Sequence, residues 1–94
     1  MTSTVGTIHC LVSGRVQGVC FRAWTREQAH LLGIKGWVRN TRAGDVELVA
    51  QATEAALAEF QERLHEGSLY SRVTSVDCHE LREPESFPDF TIRY

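Results

Sequence analysis

The run Gly14-Arg15-Val16-Gln17-Gly18-Val19-Cys20-Phe21-Arg22 brings two glycines and two arginines into nine residues, between a stretch that reads as a strand and one that reads as a helix. Main-chain N–H groups left free at a helix start point outward and favour negative charge. A guanidinium beside them can hold two phosphate oxygens at once. Gly14 and Gly18 let the chain approach a ligand closely and take φ values that other residues resist. Successive amides in such a loop form an anion-binding concavity. The chemistry on offer is phosphate binding, or the breaking of a bond to phosphorus.

The loop is neither of the common glycine-rich phosphate motifs. No Gly-Lys-Ser/Thr follows it, and its glycines do not have GxGxxG spacing. A different pattern overlaps it. Cys20 to Arg26 matches Cys-x5-Arg, in which a thiolate attacks phosphorus. That chemistry needs the intervening main chain to curl around the phosphate, whereas bulky Phe21 and Trp24 lie here within a predicted helix. Glu27 also stands where a hydroxyl residue is usual.

The elements that must position the loop follow from periodicity. Ile8 to Ser13 reads as a strand, with Ile8, Cys10 and Val12 alternating against His9, Leu11 and Ser13. From about Arg22 to Leu32 the residues are good helix formers, and Phe21, Ala29 and Leu32 can share a buried stripe. Gly33 stands where a left-handed helix stop belongs, with Ile34 packing back on the cap. Lys35 to Thr41 and Asp45 to Gln51 read as strands joined by a short Arg42-Ala43-Gly44 connection. Thr53 suits an N-cap and Glu54 the positive helix end that follows. Leu57, Phe60 and Leu64 make an amphipathic stripe ended by Gly67. Ser68 to Arg72 reads as loop, and Val73 to about Leu81 as a fourth strand with Val73 and Val76 inward. Arg82 to Asp89, with two prolines, reads as a turn. Phe90, Ile92 and Tyr94 alternate in a short closing strand.

The order β-α-β-β-α-β with a short fifth strand is the split βαβ, ferredoxin-like α+β arrangement, with two helices on one face of an antiparallel sheet. A strand–helix–strand crossover returns the second strand parallel to the first. The glycine loop and the end of the second strand, Arg39-Asn40-Thr41, are therefore expected at the same sheet edge, which brings Asn40 near Arg22.

Composition narrows the function classes. The chain has 94 residues, room for one domain spanning 1–94, with residues 1–6 expected as a flexible tail. Ten basic and twelve acidic residues leave a net charge of −2, against wholesale nucleic-acid binding. No apolar run is long enough for a membrane span, and the first residues lack the pattern of a signal peptide. A cytoplasmic monomer is the expectation. Cys10, Cys20 and Cys78 are odd in number and widely spaced, so reduced, packed thiols are expected rather than a disulfide framework or a zinc pattern. His9, His30, His65 and His79 show no ligand spacing, and no metal site is expected.

The segment Gly14 to Arg22, followed by Gly36-Trp37-Val38-Arg39-Asn40-Thr41, resembles the acylphosphatase family. The resemblance runs on through Gly44, the second helix and Phe90-Thr91-Ile92-Arg93-Tyr94, covering nearly everything from about Ile8. It implies a small, metal-free hydrolase without cofactor. Such an enzyme cleaves the carboxyl–phosphate anhydride of a small-molecule acyl phosphate to a carboxylate and inorganic phosphate. Carried over by motif position, Arg22 grips the phosphate and Asn40 orients the attacking water. The amides of Arg15, Val16, Gln17, Gly18, Val19 and Cys20 cradle the oxygens, with Gly14 and Thr41 in support. Relatives vary at the position of Cys20, so its thiol is given no catalytic role.

The leaving group agrees with that implication. A carboxylate, whose acid has a pKa of about 4, departs without a proton, so no general acid is required. Phosphoryl transfer then asks mainly for positioning and charge stabilisation. A non-catalytic anion- or nucleic-acid-binding module of the same fold stays open as an alternative, as does a Cys20-dependent phosphatase. RNA recognition on such a sheet uses aromatic residues on its inner strands, and neither Ile8–Ser13 nor Asp45–Gln51 has one.

Overall fold

The computed structural model describes residues 5–82 and 84–94. The elements run β1 (Val5–Arg15), α1 (Phe21–Leu31), β2 (Lys35–Asn40), β3 (Val46–Thr53), α2 (Glu54–Glu66), β4 (Arg72–Glu80) and β5 (Phe90–Ile92). They form one sheet in the order β4-β1-β3-β2-β5. All pairings are antiparallel except β2 with β5. The sheet is therefore mixed at its short fifth strand, and otherwise has the expected ferredoxin-like topology. β1 and β2 run parallel with β3 between them, as the crossover requires.

Alternation along the strands sorts the two faces. Cys10 and Val12 of β1, Val46, Leu48 and Ala50 of β3, and Val38 of β2 are buried toward the helices. Phe21, Thr25 and Ala29 face them from α1, and Leu57, Phe60 and Leu64 from α2. The Phe60 and Phe90 rings meet edge to face, 6.1 Å between centroids. At roughly 1.5–3 kcal/mol for each large apolar side chain removed from water, this layer is the main favourable contribution to the fold.

The helix boundaries follow local chemistry. Thr53 Oγ1 caps α2 by accepting from the Ala56 N–H at 3.3 Å. Gly67, at φ 78°, donates its N–H to the Arg63 carbonyl and ends the helix. Gly33 takes φ 69° after α1, and the Ile34 N–H returns to the Ala29 carbonyl at 2.8 Å.

Three expectations need correction. Cys10 and Cys78 are joined by a disulfide, not held as separate thiols. They occupy opposed positions in the β1–β4 register, so a pairing of adjacent strands brings together cysteines 68 residues apart. The odd count hid this pair, because Cys20 is the one left free. Val5 and Gly6, expected in a flexible tail, already pair with Thr53 and Ala52 of β3; residues 1–4 of that tail lie outside the described residues. Tyr94, expected to alternate inward with Phe90 and Ile92, lies beyond β5 and is exposed. The Arg93 N–H, bonded to the Val38 carbonyl at 2.8 Å, is followed by no further bond of that ladder.

Candidate active site

The loop from Val16 to Cys20 joins the end of β1 to the start of α1. Its two ends are set by different constraints. At Gly14 the φ is 125°, and a Cβ there would lie 2.1 Å from the Arg72 carbonyl oxygen of β4. A register shift in the β1–β4 ladder falls at the same place, between Ser13 and Gly14. This glycine therefore serves the close passage of the neighbouring strand rather than a ligand. Gly18 differs: its φ is 73° and no atom lies within 4 Å of where a Cβ would stand. Its conformation, rather than its surroundings, calls for glycine.

Arg15 is still the last residue of β1, opposed to Arg72. Past it the main chain turns outward. Among the described residues, the N–H groups of Gln17, Gly18, Val19 and Cys20 donate to no protein acceptor. Cys20, at the N-cap of α1, adopts a left-handed conformation and its side chain caps nothing; the first turn holds no acidic residue. A run of free amides thus leads directly into an uncapped helix start, a combination suited to an anion.

Arg22 sits in the first turn of α1, and Asn40 is the last residue of β2. One cavity of about 380 Å³ is lined by Val16, Gly18, Cys20, Phe21, Arg22, Ala23 and Asn40. The structure therefore brings Arg22 and Asn40 to one opening with the loop, as the crossover argument expects. Asn40 Oδ1 is buried and, among the described residues, accepts no hydrogen bond. A buried acceptor left so costs about 1–3 kcal/mol, and its natural complement is a donor brought from outside, such as water.

Strand register sets the spacing of the two halves. Val12 of β1 and Asn40 of β2 both pair with Val46 of β3. The side chain of Gln17, a residue expected to contribute only its main-chain amide, ties them together. Gln17 Nε2 donates to the Thr41 carbonyl at 2.9 Å and to the Asp45 carbonyl at 2.8 Å. The loop is thereby fastened to the turn after Asn40. Thr41 closes that turn, its Oγ1 accepting from the Asp45 N–H at 3.2 Å and its N–H donating to the Asp45 carbonyl at 2.9 Å. The ring of Tyr94 lies under the Arg22 guanidinium, 4.9 Å from Cζ to centroid. No spacing in the sequence marks either contact.

The Cys-x5-Arg pattern does not form a phosphate loop. Phe21 to Thr25 are helical, and the Trp24 N–H is committed to the Cys20 carbonyl at 3.1 Å. The intervening main chain cannot wrap an anion between Cys20 and Arg26. Arg39 pairs with Glu47 through its Nε at 2.6 Å. Among the described residues, no three His, Cys, Asp or Glu side chains are grouped to hold a metal.

Comparison with known proteins gives a consistent answer. The acylphosphatase family model matches residues 8–92. An acylphosphatase of Halorhodospira halophila is 49% identical over 89% of this chain and 91% of its own length. Among solved structures, an acylphosphatase from Coxiella burnetii superposes with a TM-score of 0.91 at 40% identity, over 95% of this chain and 93% of that one. One from Bacillus subtilis does so with a TM-score of 0.91 at 37% identity, over 97% of this chain and all of the other.

Proposed function

This chain belongs to the acylphosphatase family, and from that premise we propose how its own residues hydrolyse the carboxyl–phosphate anhydride. The enzyme acts on a small-molecule acyl phosphate and releases a carboxylate and inorganic phosphate. The phosphoryl oxygens rest on the amides from Val16 to Cys20, at the positive end of α1, with Arg15 supplying charge at the mouth. The Arg22 guanidinium grips two of those oxygens. Asn40 Oδ1 accepts a hydrogen bond from the attacking water and aims its oxygen at phosphorus.

The bond from that water oxygen to phosphorus forms as the bond from phosphorus to the carboxylate oxygen breaks. The electron pair leaves on a group that needs no proton at neutral pH. The protein's contribution is fixed charge and orientation. The proton of the water passes to a phosphoryl oxygen, which spares the site a side-chain base.

The observation that carries the proposal is the buried, unpartnered Asn40 Oδ1 in the same cavity as Arg22. Action as a monomer and a cytoplasmic setting belong to the same proposal.

Phosphate release from benzoyl or acetyl phosphate, measured with EDTA present, tests the reading. Turnover is expected to survive chelation. Arg22→Ala and Asn40→Ala are each expected to lower it by about a hundredfold or more, while Cys20→Ser keeps most of it. Turnover that collapsed only in Cys20→Ser would point instead to a thiolate nucleophile.

A further inference from the structure

The catalytic opening continues into a second depression of about 630 Å³ along the outer face of α1. Cys20 and Ala23 line both. From that shared wall the second depression runs to Trp24 and then to Arg26 and Glu27. Residues 20, 23, 24 and 27 recur at helical spacing and share one face.

We infer that this depression is the acyl subsite of the enzyme, and that Trp24 selects for a compact planar apolar acyl group such as an aryl ring. The inference rests on the acylphosphatase reading above. With phosphorus over the amides of the loop, the acyl carbon leaves past Cys20 and Ala23. An acetyl group ends there. A ring carried on that carbon reaches one helical turn further, about 6 Å, to Trp24.

Trp24 is built for such a contact. Its inner face packs on Phe21, with ring centroids 5.2 Å apart, which fixes its orientation. The side chain remains partly exposed and lines the groove. Beyond it the charged Arg26 and Glu27 interrupt the apolar wall before His30 and Leu31 at the far end, so the apolar surface next to the opening suits about one ring.

The test is the ratio of kcat/KM for benzoyl phosphate to that for acetyl phosphate, in the wild-type protein, Trp24→Leu and Trp24→Phe. Leucine keeps an apolar contact with Phe21 but removes the flat aromatic surface, and phenylalanine keeps both. The ratio is expected to fall about five- to tenfold in Trp24→Leu and to recover largely in Trp24→Phe. Equal loss on both substrates, or an unchanged ratio in folded Trp24→Leu, would overturn the subsite. If Trp24→Leu does not fold, the quenching of Trp24 fluorescence by benzoate in a Trp37→Phe protein decides: quenching that acetate does not match supports the subsite, and its absence overturns it. Wild-type protein inert toward both phosphates would instead remove the hydrolase reading, and this inference with it.

Discussion

The guanidinium of Arg22 lies over the ring of Tyr94, 4.9 Å from its centroid, so the proposed phosphate-gripping group is held from below by a residue just past the last strand. An exposed contact of this kind contributes about 0.5–1 kcal/mol. Tyr94→Ala is therefore expected to lower kcat/KM on an acyl phosphate about two- to fivefold, with Tyr94→Phe close to wild type. Steady-state kinetics of both variants checks this, and equal activity in all three proteins would deny Tyr94 any orienting role.

Asn40 should show function and stability pulling apart. Its Oδ1 is buried without a protein partner, a cost of about 1–3 kcal/mol in the folded state. Asn40→Ala is expected to lose hydrolysis while its unfolding free energy stays at or up to about 1 kcal/mol above wild type. Urea denaturation beside the activity assay measures both. A variant clearly less stable than wild type would contradict the account.

Cys20 is the one non-glycine residue described with positive φ, at 59°. The left-handed conformation costs an L-residue about 1–2 kcal/mol, part of which glycine returns through its freer unfolded chain. Cys20→Gly is expected to raise stability by about 0.5–1 kcal/mol, and Cys20→Ala to give no gain. Thermal unfolding of the two variants separates backbone strain from any effect of the thiol.

The disulfide between Cys10 and Cys78 closes a loop of 68 residues. Chain-entropy arguments give such a crosslink roughly 2–4 kcal/mol, or upwards of about 10 °C in Tm for a chain of this size. Reduction, or the double change Cys10→Ala with Cys78→Ala, is expected to lower Tm by that order. Activity below the new Tm should persist, because neither sulfur lines the catalytic opening. Differential scanning calorimetry with and without reductant reads the shift.

Glu47 links stability to acid pH. His9 Nε2 lies 2.6 Å from one carboxylate oxygen and Arg39 Nε 2.6 Å from the other. The hydrogen bond with His9, and then the bond and charge of Arg39, hold the Glu47 carboxyl below its ordinary 4.5 against the opposing effect of burial. A carboxyl depressed in the folded state favours folding when ionised. Its contribution is complete above about 4.5 and is lost as pH falls through the lower folded value. Glu47→Gln is expected to flatten the stability curve in that acid range, and denaturant midpoints between pH 3 and 6 measure the difference.

The elements were readable because each carries its own local signal: alternation in β1 and β3, the Leu57-Phe60-Leu64 stripe, Thr53 before α2 and Gly33 after α1. Asn40 was reachable because crossover topology is local reasoning extended by one rule of handedness. What escaped depends on strand register or on where a single side chain reaches. Cys10 and Cys78 both point inward on their strands, and the ferredoxin-like order sets β4 beside β1, but the register that opposes the two cysteines leaves no mark on either. Gln17 bonds to main-chain oxygens, which leave no mark on residue type at the other end. Tyr94 continues the alternation of Phe90 and Ile92, so periodicity assigned it to a ladder that stops before it.

Val46 meets Val12 on one side and Asn40 on the other, and this has an architectural consequence. Val12, four residues before the proposed phosphate loop, and Asn40, at the end of β2, are thus held two adjacent strand spacings apart, about 10 Å in all, by a single shared reference. Lengthening the chain between β4 and β5 or after α2 alters neither count. Such a layout is expected to tolerate insertions and fusions at its periphery while that interval stays set.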